Sequence, residues 1–192
     1  MLMDRDMLAG KFNEALPYGK FVALGDPEGH RPPWEQRYSQ LHLTSGQNDL
    51  VKSFTRKMHV LCLTGTWCGD CALQGSAMER IAEANPENID LRFLLRSDAH
   101  ASLIVKATIN QGFRVPVTWF MAEDFEPVAW FGDRTLSRYR SMARKALGEL
   151  ANVVTLPPED PVHEVLHEVL DEFERVQLLL RLSTRLRASH ND

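Results

Sequence analysis

Hydrophobic positions change their spacing several times along this chain, and each change marks an element. Met58-His59-Val60-Leu61-Cys62-Leu63 is a short apolar run without alternation, the pattern of a strand buried on both faces. Leu73, Ala77 and Ile81 then recur every four residues, which predicts a helix that Asn85-Pro86 ends. Ile89, Leu91, Phe93 and Leu95 alternate with Asp90, Arg92 and Leu94, a strand period. Residues 101–109 read as a helix closed by Gln111-Gly112. Two β-prone runs, 117–121 and 128–131, flank the polar tip 122–126 and predict a hairpin. Asp133 or Thr135 caps a following helix with Leu136, Tyr139, Ala143, Leu147 and Leu150 on one stripe, the face such a helix turns to a core. The order over 48–151 is α-β-α-β-α-β-β-α. Its first two strands, with the helix between them, form a right-handed parallel βαβ unit. The hairpin adds antiparallel strands, so the fold class is α/β with a mixed sheet.

The flanks are less patterned. Residues 1–30 show little periodicity, and Gly25-Asp26-Pro27-Glu28-Gly29 is a turn cluster. Pro32-Pro33 precedes Trp34, Tyr38 and Leu41, which predicts a helix over about 33–43. Ser45-Gly46 should break it, and Asn48 or Asp49 should cap a second helix with Leu50, Val51 and Phe54 inward. Leu156-Pro157-Pro158 reads as a linker. One long helix is expected from about 161 to 186, acidic early and arginine-rich late, which suits the helix dipole. The expected organisation is an N-terminal helical extension (1–47), a central domain (48–151) and a C-terminal helical extension (152–192).

Composition narrows the function class. The 192 residues are 44% hydrophobic and 25% charged, with a formal charge of −4. That balance suits a folded globular chain and gives no electrostatic reason to expect nucleic acid or anionic membrane as partner. No run approaches the roughly 18 apolar residues of a spanning helix, and Met1 to Phe12 lacks the apolar core of a secretory signal. Three cysteines are too few, and odd in number, for a disulfide framework, so a cytosolic setting is expected.

The strongest chemical signal is Trp67-Cys68-Gly69-Asp70-Cys71, placed where the buried strand ends and a helix begins. Unpaired N–H groups and the dipole at that helix start would stabilise a thiolate on Cys68, the attacking species in disulfide exchange. Cys71, one turn on, can resolve the mixed disulfide. The alternatives are inert buried thiols or half a metal site, and a zinc site needs about four ligands where no second cysteine pair exists.

These residues resemble the thioredoxin superfamily over about 58–150: strand, WCGDC, helix, strand, helix, then Val115-Pro116 before the hairpin. The resemblance implies a thioredoxin-like fold and a cis Val115-Pro116 bond facing the CxxC. Trp67, Gly69, Asp70, Val115 and Pro116 would shape a substrate groove, with Val115 offering its backbone to an extended substrate. The segments 64–71, 95–98, 110–116 and 130–134 together resemble a bacterial subgroup of thioredoxin family proteins with helices before the core. Three positions depart from the family pattern. Ser76, beside Gly75, replaces the usual helix-kinking proline. Cys62 stands where thioredoxin buries an aspartate, so proton transfer must use Asp70 or water. Cys62 itself reads as a small buried hydrophobe or a third redox thiol. Asp70 replaces the proline between the cysteines, as a solvated helix-start acid or as a tuning group.

His163-Glu164-Val165-Leu166-His167 matches HExxH, with both histidines on one helix face. Phe173 stands where a metzincin has its third histidine, and no Glu follows Glu174. The same segment reads as an amphipathic helix packing through Val162, Val165, Leu166, Val169, Leu170, Phe173, Val176, Leu179 and Leu180. The arginines at 175, 181, 185 and 187 read as flanking charges or as a membrane or acidic-partner surface. The expected function is a thiol–disulfide oxidoreductase with Cys68 attacking and Cys71 resolving. It needs no cofactor or metal, acts on disulfide or thiol protein substrates, and is reset by a reductant the sequence does not identify. The alternative is a thioredoxin-like binding module that holds a protein partner with little turnover.

Overall fold

The computed structural model describes residues 3–148 and 158–192. At its centre is a four-stranded sheet of β1 (Met58–Thr64), β2 (Ile89–Leu95), β3 (Val117–Ala122) and β4 (Pro127–Gly132) in the order β2-β1-β3-β4. β1 pairs parallel with β2 and antiparallel with β3, and β3 pairs antiparallel with β4. The helices are α1 (Arg5–Glu14), α2 (Tyr18–Ala23), α3 (Arg31–Gln40), α4 (Ser45–Lys52), α5 (Gly69–Ala84), α6 (Ala101–Lys106), α7 (Leu136–Leu147), α8 (Pro161–Leu182) and α9 (Thr184–His190), and from α4 to α7 helices and strands follow the expected order α-β-α-β-α-β-β-α.

The sheet is covered on both faces, which explains the unalternating run in β1. Met58, Val60 and Cys62 join Phe93, Phe120, the inner side of α5 and the apolar face of α8 in one core. Leu61 and Leu63 point the other way, to Leu94, Trp119, Leu103 of α6 and Leu8 and Phe12 of α1. Both faces of β1 are therefore dry. Phe173 of α8 meets Phe120 edge to face, with centroids 5.1 Å apart.

The N-terminal helices join the same core. Trp34 of α3 is fully buried and donates its indole N–H to the Thr66 carbonyl at 2.9 Å. Its ring lies against Gly75 of α5, where an added Cβ would stand 2.5 Å from the ring carbon Cζ3. Ser76 bonds the Tyr18 hydroxyl at 2.8 Å and donates to the Trp34 carbonyl at 3.3 Å. Gly75 and Ser76 thus dock the flanking helices onto α5, which runs as one helix of 16 residues. Buried amides satisfy backbone where chain segments turn inward. Gln177 of α8 accepts from Arg56 N–H at 2.8 Å and donates to the Arg56 carbonyl at 3.0 Å. Asn85 donates to the carbonyls of Val51 and Phe54 at 2.9 and 3.0 Å.

Several expectations need correction. Residues 1–30 hold α1 and α2 despite their weak pattern. Ser45-Gly46 opens α4 instead of breaking a helix, because Thr44 caps it with a reciprocal Gln47 bond, four residues ahead of the expected Asn48. α6 stops at Lys106, with Ala107 N–H on the Ile104 carbonyl, and Asn110 and Gln111 then adopt left-handed φ values of 48° and 61° in a tight turn between Ile109 and Gly112. The single terminal helix divides at Ser183, whose extended backbone caps α9 through Leu186 N–H. Leu136, Tyr139 and Leu147, the expected core stripe of α7, are all exposed. Leu150, and residues 156–157 of the expected linker, lie outside the described residues. Among the described residues no helix is long and apolar enough to cross a membrane.

Two glycine substitutions separate packing from propensity. Each should gain about 1 kcal/mol of helix propensity as alanine. Gly10 lies exposed in α1 with nothing within 4 Å of an added Cβ, so Gly10→Ala should stabilise. Gly75→Ala pushes into the Trp34 ring and should destabilise by about 1–3 kcal/mol net. Denaturant unfolding of both variants measures the two signs.

Candidate active site

Cys68 is the N-cap of α5. Its backbone is extended, and its Sγ accepts the Cys71 N–H at 3.3 Å. The same sulfur lies 4.0 Å from the Val115 carbonyl. Hydrogen bonding from the Cys71 thiol and N–H outweighs burial and the repulsive charge of Asp70, and holds the Cys68 thiol down at about 7. Cys71, inside the first turn, is buried. Burial first, then its neighbour Cys68, raises that thiol well above the ordinary range. Cys62 faces the α5 side of the sheet, fully buried, and desolvation pushes it up to about 12. All three cysteines are free.

The second wall is the β3 entry. Val115-Pro116 is cis, as expected from the resemblance, and Pro116 is buried beside Gly132. An added Cβ on Gly132 would lie 2.7 Å from the Pro116 carbonyl oxygen, so glycine is required for that approach. Trp67 stands at the rim, 51% exposed, and Gly69 opens α5 on the surface. The five residues expected to form a groove with the cysteines are thus brought to one edge, the C-terminal end of β1 and the start of β3.

Asp70 differs from the solvated acid considered above. Its side chain is only 12% exposed. Arg134 Nε donates to one carboxylate oxygen at 2.6 Å and Arg138 Nε to the other at 2.8 Å. Burial would raise its pKa, but the two guanidinium groups win and leave it lowered. Arg134 also reaches Asp133 at 2.6 Å, and Asp133 is 1% exposed. Arg114 and the Tyr139 hydroxyl complete the shell of Asp133, and Gln74 of α5 donates to its carbonyl at 2.9 Å. Spacing could not predict this network, because Asp70 and its arginines lie more than sixty positions apart. The only sequence trace was the segment 130–134 itself.

The HExxH histidines do not converge. His163 pairs with Asp160 at 2.7 Å and His167 with Asp171 at 3.3 Å, both at the surface. Among the described residues no three His, Cys, Asp or Glu side chains gather as a metal site. The opposite face of α8 is buried, as the packing reading expected.

A sequence profile described as thioredoxin matches residues 23–145 of the chain. The chain belongs to the thioredoxin family. Among solved structures it resembles a protein of unknown function from Pseudomonas aeruginosa, with a TM-score of 0.64 and 18% identity over 88% of this chain and 95% of that one. It also resembles an HIV epitope scaffold, at TM-score 0.57 and 18% identity, covering 85% and 97%. At such identities these two share the fold. No curated protein matches. The thioredoxin profile begins inside α2, so it includes α3 and Trp34 along with the sheet.

Thiol reactivity tests the asymmetry. Alkylation of the reduced protein should be confined to Cys68 near neutral pH, with the rate rising through about pH 7 as the thiolate forms. Asp70→Asn removes the carboxylate and leaves Arg134 and Arg138 uncompensated. The Cys68 midpoint should then fall by a few tenths of a unit or more, and the dithiol potential should rise. A rising midpoint in that variant would show that Asp70 acts mainly by capping α5.

Proposed function

We propose that this thioredoxin family protein is a thiol–disulfide oxidoreductase working through the Cys68–Cys71 dithiol. The observation that carries the reading is the paired placement of the two sulfurs. One is half-exposed at a helix start, facing a backbone carbonyl next to a cis-proline, and the other is buried one turn behind it. The likeness of four segments to a bacterial subgroup with a WCGDC-type motif supports it.

In the proposed reaction the Cys68 thiolate attacks one sulfur of a substrate disulfide. A Cys68–substrate bond forms, the substrate S–S bond breaks, and the released substrate thiolate takes a proton from solvent. Cys71 then loses its proton and attacks Cys68 Sγ. The Cys68–Cys71 disulfide forms and the second substrate thiol leaves. The substrate gains two electrons and the protein loses two. A thiol reductant reverses the second change, and the same steps backward would oxidise a substrate dithiol. Trp67, Gly69, Val115 and Pro116 shape the groove.

The buried Cys71 proton is the difficult one. Asp70 is a poor acceptor, since its two arginines hold it ionised. Among the described residues the Thr64 hydroxyl is buried without a hydrogen-bond partner, and with Gly65 N–H it draws the Cys71 midpoint down, though burial still keeps it raised. Water reaching Cys71 takes the proton, and Thr64 steadies the thiolate. The cysteine inventory, three free thiols, supports a cytosolic setting.

A turbidity assay of insulin reduction with dithiothreitol measures the activity. Cys68→Ser should abolish turnover, and Cys71→Ala should accumulate a mixed disulfide that a gel without reductant displays. Thr64→Val should slow resolution several-fold while leaving the Cys68 midpoint in place. Wild-type turnover no faster than dithiothreitol alone would overturn this reading in favour of a binding module.

A further inference from the structure

The side of α7 that faces the protein is polar, and its apolar side faces out. Ser137 meets Glu168 of α8 through N–H at 2.9 Å and through its hydroxyl at 2.6 Å. Arg138 is fixed on Asp70, between the two cysteines. Leu136, Tyr139, Met142 and Leu147 are left exposed. An amphipathic helix usually turns such a stripe inward. This one continues outward from the groove, where Trp67 and Phe113 are also half-exposed.

Charge on this surface opposes that of the whole chain. The protein carries −4, yet α7 holds Arg138, Arg140, Arg144 and Lys145 and no acidic residue. Among the described residues only Arg138 of these four has an ion-pair partner. Arg134 and Arg114 add two more cations beside the dithiol, against Asp70 and Asp133. On the other flank a hollow of about 230 Å³ is bounded by Ile104, Val105 and Phe113, with Arg96 and Asp98 at its edge. Arg96 N–H bonds the Thr64 carbonyl, which places this hollow at the same C-terminal edge of the sheet as Cys68.

We propose that the substrate segment of this protein is acidic and apolar: carboxylates beside the reacting cysteine lie along α7, and apolar side chains meet the exposed stripe. The proposal rests on the dithiol reading and names the class of protein that reading acts on. A cationic rim steers an anionic segment to the groove over roughly a Debye length, about 10 Å at 0.1 M salt. The exposed aromatics supply contact area once it arrives. An anionic membrane would also attract a basic amphipathic helix. The peptide is favoured because the cations are continuous with the dithiol, through Arg138 and Arg134 on Asp70, where only a reacting chain needs to come.

The test uses three peptides of one apolar sequence around a single cysteine, flanked by glutamates, glutamines or lysines. Each is made as a mixed disulfide with 5-thio-2-nitrobenzoate and mixed with the full-length Cys71→Ala protein. Cys68 joins the peptide sulfur and the coloured thiolate leaves. The glutamate peptide should react about tenfold faster than the lysine peptide at low ionic strength, the gap closing as salt rises. Arg140→Glu combined with Arg144→Glu should bring that ratio near one. Equal rates for the three peptides, or a ratio the double variant leaves unmoved, would overturn the proposal. If no peptide reacts faster than with free cysteine, the dithiol reading fails by itself. The same peptides with serine for cysteine, followed by fluorescence anisotropy, then decide the surface: several-fold tighter binding of the glutamate peptide upholds it, and equal binding overturns it. Co-sedimentation with phosphatidylserine vesicles, lost in the double variant and without any peptide preference, would assign α7 to a membrane and also overturn it.

Discussion

The wedge of Trp34 between the N-terminal helices and α5 is the constraint on which the rest of the molecule depends. Its ring occupies the space a side chain at position 75 would need, and its N–H holds the carbonyl of Thr66, two residues before Cys68. His30 adds a bond to the Thr66 hydroxyl at 3.1 Å. The loop that presents the first thiol is therefore braced from outside the sheet. A buried indole satisfied by one backbone carbonyl is a demanding arrangement, since losing either partner leaves a polar group stranded in the core. The family profile, reaching back into α2, includes this brace.

A second interaction, the hold of Arg134 and Arg138 on Asp70, couples the dithiol to the far end of the sheet. These arginines follow β4, and Asp70 sits between cysteines that follow β1. In water such pairs contribute little. Here the carboxylate is largely covered and each oxygen is engaged separately, so the pair acts as a mechanical tie as well as a local field. It anchors the start of α7 to the thiol-bearing turn, and α7 then needs little apolar packing to stay in place.

The central pattern was legible because its signals are short in range. The runs of β1 and β2, the four-residue spacing in α5 and the hairpin all record burial within a few positions of chain. The dithiol and Val115-Pro116 were legible as motifs, and both lie at one edge of the sheet. What was not legible depends on partners far along the chain. The α7 stripe looked like a core face, because periodicity reports amphipathicity without saying which side is inward; Ser137 and Glu168 decide that. Asp70 could be read as solvated because its partners are distant in sequence, Arg134 in the loop after β4 and Arg138 in α7. Thr44 was overlooked as a cap in favour of Asn48, although its reciprocal partner Gln47 stood three residues on. α1 and α2 escaped notice because their apolar residues, such as Leu8, Phe12 and Phe21, are few and spread over both cores.

The place of α8 has a consequence for how the chain is made. It closes the face of the sheet that carries Met58, Val60, Cys62 and Phe120, and it does so with side chains from the last quarter of the sequence. On the ribosome those strands emerge, and can pair, dozens of residues before Phe173 exists to cover them. Until then the part of that face that α5 does not cover stays open to water. Apolar surface exposed in this way during folding is prone to aggregate. The vulnerable interval for this protein lies between the completion of β4 and the arrival of α8.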